Sequence, residues 1–189
     1  MTESTRNRNA VVIPGGGYGP QAPLLAYASD AAQARGARVR PVSWTTDPRQ
    51  VSPDDRQAWV AGHVTPVLDE VTAEAAGTPP LLIGKSLGTY ATALAAEQGL
   101  PAVWLTPLLS VEPLVVDALR RATAPALLIG GTADLAWDGA LARELSPYVL
   151  EVPDADHGMY VPGPLAGSAA VLGRVVTAIE EFLDQVLWR

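Results

Sequence analysis

Six short apolar runs, each closed by glycine, proline or a small polar residue, limit what this chain can fold into: AVVIPGGG, ARVRPVSW, PPLLIGKS, PAVWLTP, APALLIGGTAD and SPYVLEVPDADHG. Runs this short and rich in Val, Ile and Leu suit strands buried on both faces. Between them lie stretches with helical spacing, predicted over residues 21–35, 54–76, 87–98, 115–122, 138–145 and about 169–187. The second helix opens with Ser52-Pro53-Asp54-Asp55, read as a serine cap, an N-terminal proline and early acids. The last carries Val171, Leu172, Val175, Ile179, Phe182, Leu183 and Val186 on one face. Strand alternating with helix predicts an α/β fold around a mainly parallel sheet. With 189 residues and no repeat or linker, we expect a flexible tail over 1–9 and one domain over 10–189.

Composition removes several classes of function. The 48% apolar content supplies a sizeable core, and a formal charge of -7 without a basic run leaves no surface for nucleic acid. The chain lacks cysteine, which excludes disulfides, thiol catalysis and thiolate metal sites together. MTESTRNRN has no apolar middle region of a secretory signal, and no stretch approaches the roughly 18 consecutive apolar residues of a membrane span. A soluble, cytoplasmic protein acting away from membranes is the expectation.

LLIGKSLGTYA, residues 81–91, has two chemical readings. A phosphate loop, G-x-x-x-x-G-K-[ST], needs a glycine five residues before Gly84, where Pro79 stands, and Pro80 to Ile83 form an apolar strand instead of a glycine-rich cradle. Gly15-Gly16-Gly17-Tyr18-Gly19 also misses the dinucleotide pattern, since Pro20 falls at its last position. Gly84-Lys85-Ser86-Leu87-Gly88 does satisfy G-x-S-x-G between strand and helix, a turn that presents a strained, exposed nucleophilic serine.

A serine hydroxyl needs a base, and the base needs a partner that fixes its tautomer. Of the two histidines, His63 lies within a predicted helix before the turn and reads as a surface or packing residue. His157 follows the last strand in DADHG and is the candidate base. Asp134, at the carboxyl end of APALLIGGTAD, is the candidate acid, with Asp138 as rival and as cap of the next helix. Asp156, adjacent to His157, is expected to stabilise the loop. An oxyanion would be held by the backbone N–H of Leu87 and a second donor from the glycine-rich loop, Gly16 first, with Gly17 and Tyr18 as neighbours.

Together these residues resemble the α/β-hydrolase family from Ala10 onward, closest to its small lidless members, the dienelactone-hydrolase-like and predicted-hydrolase branch. The resemblance implies a minimal six-stranded sheet of order 2-1-3-4-5-6 with helices on both faces. PAVWLTP is followed by only Leu108 to Pro113 before the next helix, which leaves no room for a cap domain. Many family members have histidine before the oxyanion-loop glycine, where this chain has Pro14.

Candidate substrate contacts are Tyr18, Lys85, Leu108, Trp137 and Met159, with Pro20, Leu24, Leu109 and Tyr160 nearby. Lys85 is expected as a solvated or paired side chain near the site, with attraction of an anionic substrate as the lesser alternative. The resemblance implies a carboxylester-type serine hydrolase acting on a small-molecule ester, thioester or related acyl compound, with no metal or organic cofactor. Acyl transfer, lyase or isomerase chemistry on the same scaffold, and an inactive binding protein, are the alternatives.

Overall fold

The computed structural model describes residues 7–74 and 77–189. Six parallel strands form one sheet: β1 (Asn9–Ile13), β2 (Arg38–Pro41), β3 (Leu81–Lys85), β4 (Ala102–Leu105), β5 (Ala126–Gly131) and β6 (Tyr148–Val152). Their spatial order is β2-β1-β3-β4-β5-β6, as expected. The connecting helices are α1 (Pro23–Gln33), α2 (Arg56–Glu74), α3 (Thr92–Gln98), α4 (Pro113–Arg121), α5 (Gly139–Leu145) and α6 (Leu165–Phe182). Among the described residues, no helix is long and apolar enough to cross a membrane.

The central strands alternate their side chains between two apolar layers, which is why their sequences are almost unbroken runs of Val, Ile and Leu. Val11 and Ile13 join Leu82 and Trp104 on the face covered by α2, α3 and α4. Ala10, Val12, Ile83, Val103 and Ile129 meet α1 and α6 on the other face. The outer strand β2 carries Arg38 and Arg40 and ends at Pro41, features that discourage further strand pairing at an open edge. Proline starts α1 and α4 at positions whose N–H would have no partner within the helix. α3 stops at Gly99, which takes the left-handed conformation with φ 63°.

Several boundaries differ from expectation for local reasons. Residues 1–6 of the expected tail lie outside the described residues, but its last positions belong to the fold. Asn9 is buried in β1, and Arg8 donates to the Arg35 and Trp188 carbonyls at 2.8 and 3.1 Å. Pro53–Asp55 forms a 3-10 turn ahead of α2, so Ser52 precedes that turn and its side chain caps nothing. Residues 75 and 76 of the predicted second helix also lie outside the described residues. α6 begins at Leu165, before the apolar periodicity does, because Ser168 Oγ accepts from Val161 N at 3.1 Å and fixes the first turn to the preceding loop. The same helix ends in a wider π-type turn over Leu183–Leu187.

Candidate active site

The carboxyl ends of β1, β3, β5 and β6 converge on one rim of the sheet, the edge at which open α/β sheets place their sites. Ser86 leaves β3 directly into a 3-10 turn spanning Ser86–Ala91, so the first part of the predicted 87–98 helix is tighter than α. Its φ of 51° is left-handed, an unfavourable conformation for a residue with a Cβ. The flanking glycines allow the turn to sit where it does. A Cβ at Gly84 would lie 2.6 Å from the Trp104 ring, and one at Gly88 would lie 2.6 Å from the Ile13 carbonyl oxygen. Thr89 Oγ1 donates to the Ser86 carbonyl at 2.6 Å and closes the turn from inside.

His157 stands over this serine. Its Nε2 is 2.8 Å from Ser86 Oγ, and its Nδ1 is 2.7 Å from Asp134 Oδ2. A carboxylate can only accept, so Nδ1 carries the proton and Nε2 is left to accept from the serine hydroxyl. Asp134 is buried, with its other oxygen accepting from Ala136 N at 2.9 Å. The loops that carry Asp134 and His157 are tied together by Thr132 N to the Val152 carbonyl and Ala133 N to the Ala155 carbonyl, both at 3.0 Å. Gly131 permits this approach, since a Cβ there would run into the Ala155 backbone. Asp138 caps α5 by accepting from Leu141 N, and Asp156 accepts from Gly158 N and Tyr160 N, the structural roles expected of them.

Beside the serine lies an open cleft of about 320 Å³, lined by Gly16, Gly17, Ser86, Leu87 and Leu108 together with Pro48, Arg49 and Arg56. Leu87 is the second residue of the 3-10 turn, and its N–H has no carbonyl partner within that turn. The glycine-rich loop is held by Gly15 N donating to the Tyr18 carbonyl at 2.9 Å and by Trp44 Nε1 donating to the Gly15 carbonyl at 3.0 Å. Behind Trp44 are Trp59 and His63, whose ring centres lie 4.4 Å apart with the planes tilted by 49°. The His63 Nδ1 bonds the Trp59 carbonyl at 2.8 Å, which makes it a packing residue of α2.

Among the described residues, no cluster of histidine and carboxylate side chains could hold a metal ion.

The structure redistributes the candidate substrate contacts. Leu108 lines the cleft. Tyr18 and Met159 instead line a separate apolar pocket of about 240 Å³, with Leu24, Tyr160 and Leu165. Leu109 is buried in the core. Trp137 is not a wall of the site: its ring lies against β5 at Gly130 and its Nε1 donates to Glu151 at 2.8 Å. Lys85 is neither solvated nor paired with a carboxylate; it is 2% exposed and turned towards the base loop. Arg49 and Arg56 were not anticipated at the serine. Arg49 comes from the polar segment between β2 and α2, and Arg56 is the first residue of α2, a stretch where no apolar periodicity reports how the chain folds back.

Neither a protein-family model nor a curated protein matches the chain by sequence. Comparison of structures is informative about the fold. A lidless α/β serine hydrolase from Xanthomonas campestris superposes with a TM-score of 0.69 at 17% identity, covering 95% of this chain and 84% of that one. An α/β serine hydrolase homologue from Coxiella burnetii gives 0.70 at 16%, covering 95% and 86%. The fold is that of the α/β hydrolases. Est1E from Butyrivibrio proteoclasticus, solved with ferulic acid bound, gives 0.71 at 15% identity and covers 96% and 90%. Within the α/β-hydrolase fold this chain is a minimal version, a six-stranded sheet with no cap domain.

Proposed function

We propose that the protein is a serine hydrolase that cleaves a small ester or thioester through an acyl-enzyme on Ser86. The observation that carries this reading is the continuous hydrogen-bonded line from Ser86 Oγ through both His157 ring nitrogens to Asp134. Ser86 Oγ attacks the substrate carbonyl carbon as its proton passes to His157 Nε2. The carbonyl electrons move to the oxygen, which the N–H groups of Leu87 and Gly16 or Gly17 stabilise. When the carbonyl re-forms, the bond to the leaving group breaks and the imidazolium returns the proton to it. Water then repeats the sequence, activated by the same base, and frees the acid and the serine.

The cleft also favours one substrate class within this reading. Its lining includes two guanidinium groups and no acidic side chain. Arg49 is already paired with Asp47 at 2.8 Å, whereas Arg56 lies near the Tyr90 hydroxyl, which Glu112 also faces. Burial, followed by the neighbouring Glu112, pushes that hydroxyl up to about 12, so it adds no negative charge beside the guanidinium. Esters that carry a carboxylate would therefore be processed in preference to neutral isosteres. The Arg56→Gln variant should lose about 5-fold in the ratio of kcat/KM for the anionic over the neutral ester, the scale of a part-exposed charge interaction. An unchanged ratio would remove Arg56 from substrate selection.

The reading itself is tested by labelling with a fluorophosphonate probe, followed by intact mass. One adduct on the wild type, absent from Ser86→Ala and His157→Ala, is the expected result. Folded wild-type protein that takes no label would contradict an activated serine.

A further inference from the structure

β3 ends on a lysine that does not reach solvent. Lys85 is 2% exposed and does not line the cleft beside Ser86. Its ammonium donates to the main-chain carbonyl of His157 at 3.0 Å and lies 4.7 Å from the centre of the Tyr18 ring, within cation–π range. Because Ser86 is the next residue, the strand end holds the base residue at two points. Ser86 Oγ meets the imidazole, and Lys85 Nζ meets the backbone that carries it.

Tyr18 adds a third element. Its carbonyl accepts from Gly15 N within the glycine-rich loop, and its hydroxyl accepts from Leu24 N at the start of α1. One ammonium, carried by the elbow itself, thus touches the loop of His157 and the glycine-rich loop. Burying an ammonium is costly unless hydrogen bonds and nearby charges compensate, so its placement between these three loops imposes a strict geometry on them.

We propose that Lys85 is a positioning residue for the base: its ammonium fixes the His157 main chain, and so the imidazole, against the serine elbow and the glycine-rich loop. The inference rests on the serine-hydrolase reading. A contact that fixes orientation acts on the rate of the chemical step, because small misplacements of a reacting pair are expensive in rate. It does not act on substrate affinity, since Lys85 is outside the cleft.

The charge state of the staple supplies a second signature. The groups facing Lys85 are Asp134 after β5, Asp156 and the His157 carbonyl after β6, and the Tyr18 ring after β1. Burial pulls the ammonium down to about 8, with Asp134 and Asp156 acting in the opposite direction. Below that pH the donor is charged. Above it the neutral amine donates more weakly, and the rate falls as pH rises through the transition.

The experiment is inactivation by a fluorophosphonate between pH 6 and 9.5, resolved into KI and kinact for wild type, Lys85→Met and Lys85→Arg. For Lys85→Met, kinact should fall on the order of 10- to 100-fold with KI within about 2-fold of wild type. The wild-type decline in kinact near pH 8 should vanish in Lys85→Met, and Lys85→Arg should recover part of the rate without that decline. Wild type labelled at Ser86 beside a Lys85→Met variant with the same kinact and the same pH profile overturns the role of Lys85 alone. Wild type that takes no label overturns the hydrolase reading and this inference together. Should Lys85→Met fail to fold, NMR on the wild type decides. The His157 ring signals should show a step at the midpoint of the Lys85 Nζ titration, and their indifference to it would overturn the proposal.

Discussion

Replacing Ser86 by alanine is expected to reduce kcat on a short-chain ester by at least about 10⁴-fold while leaving the protein folded. The serine Oγ is the only atom removed, and its hydrogen bond is to His157 in a half-open site. The left-handed backbone at residue 86 is enforced by β3 and the 3-10 turn, and alanine inherits it unchanged. The melting temperature should therefore stay within about 4 °C of wild type, since a hydrogen bond at this site is worth about 1 kcal/mol. Kinetics and calorimetry on the same preparation check both halves. A variant that melts much earlier would mark Ser86 as a structural residue, and a variant that turns over normally would move the nucleophile elsewhere.

The second large effect separates the two aspartates after β5. Asp134→Asn should lower kcat by about 10⁴-fold, because an amide presents an N–H as readily as an oxygen and no longer dictates which imidazole nitrogen holds the proton. Asp138→Ala should leave kcat near wild type and cost about 1 kcal/mol of stability, the usual effect of removing a side chain that caps a helix. The two variants give opposite patterns in rate and in thermal midpoint. If Asp138→Ala were the inactive one and Asp134→Asn the unstable one, the orienting acid would be Asp138.

Much of this architecture is legible in the sequence because the information is local. A strand buried on both faces is apolar almost throughout, as β1, β3, β4 and β5 are, and the more exposed edge runs RVRP and YVLEV map to strands as well. The glycines of G-K-S-L-G are required by contacts with Trp104 and the Ile13 carbonyl, and a motif spaced for that turn is recognisable without the contacts. The line from Ser86 to Asp134 follows from where three strands end.

What escaped depends on direction and on distant partners. Lys85 sits at a strand end facing inward, and nothing in its neighbours says that a carbonyl 72 residues later will receive its ammonium. Trp137 is one residue past Ala136, whose N–H meets the Asp134 carboxylate, yet its indole turns beneath β5 to reach Glu151. Arg49 lies in, and Arg56 directly follows, a polar connection whose fold depends on 3-10 turns at Pro48–Gln50 and Pro53–Asp55. The early start of α6 rests on the hydrogen bond that Ser168 Oγ accepts from Val161 N, a signal outside any apolar periodicity.

The connection from β4 to α4, residues 106–112, is too short to carry a cover over the cleft. In the proposed reaction no segment has to swing aside before a substrate enters, and none has to reopen before the acid leaves. Turnover would then be governed by acyl transfer and deacylation, with little dependence on solvent viscosity, in contrast to enzymes whose pace is set by a hinged gate. The same openness leaves the acyl-enzyme exposed to whichever nucleophile is abundant, so the balance between water and a competing alcohol would follow their concentrations in the medium.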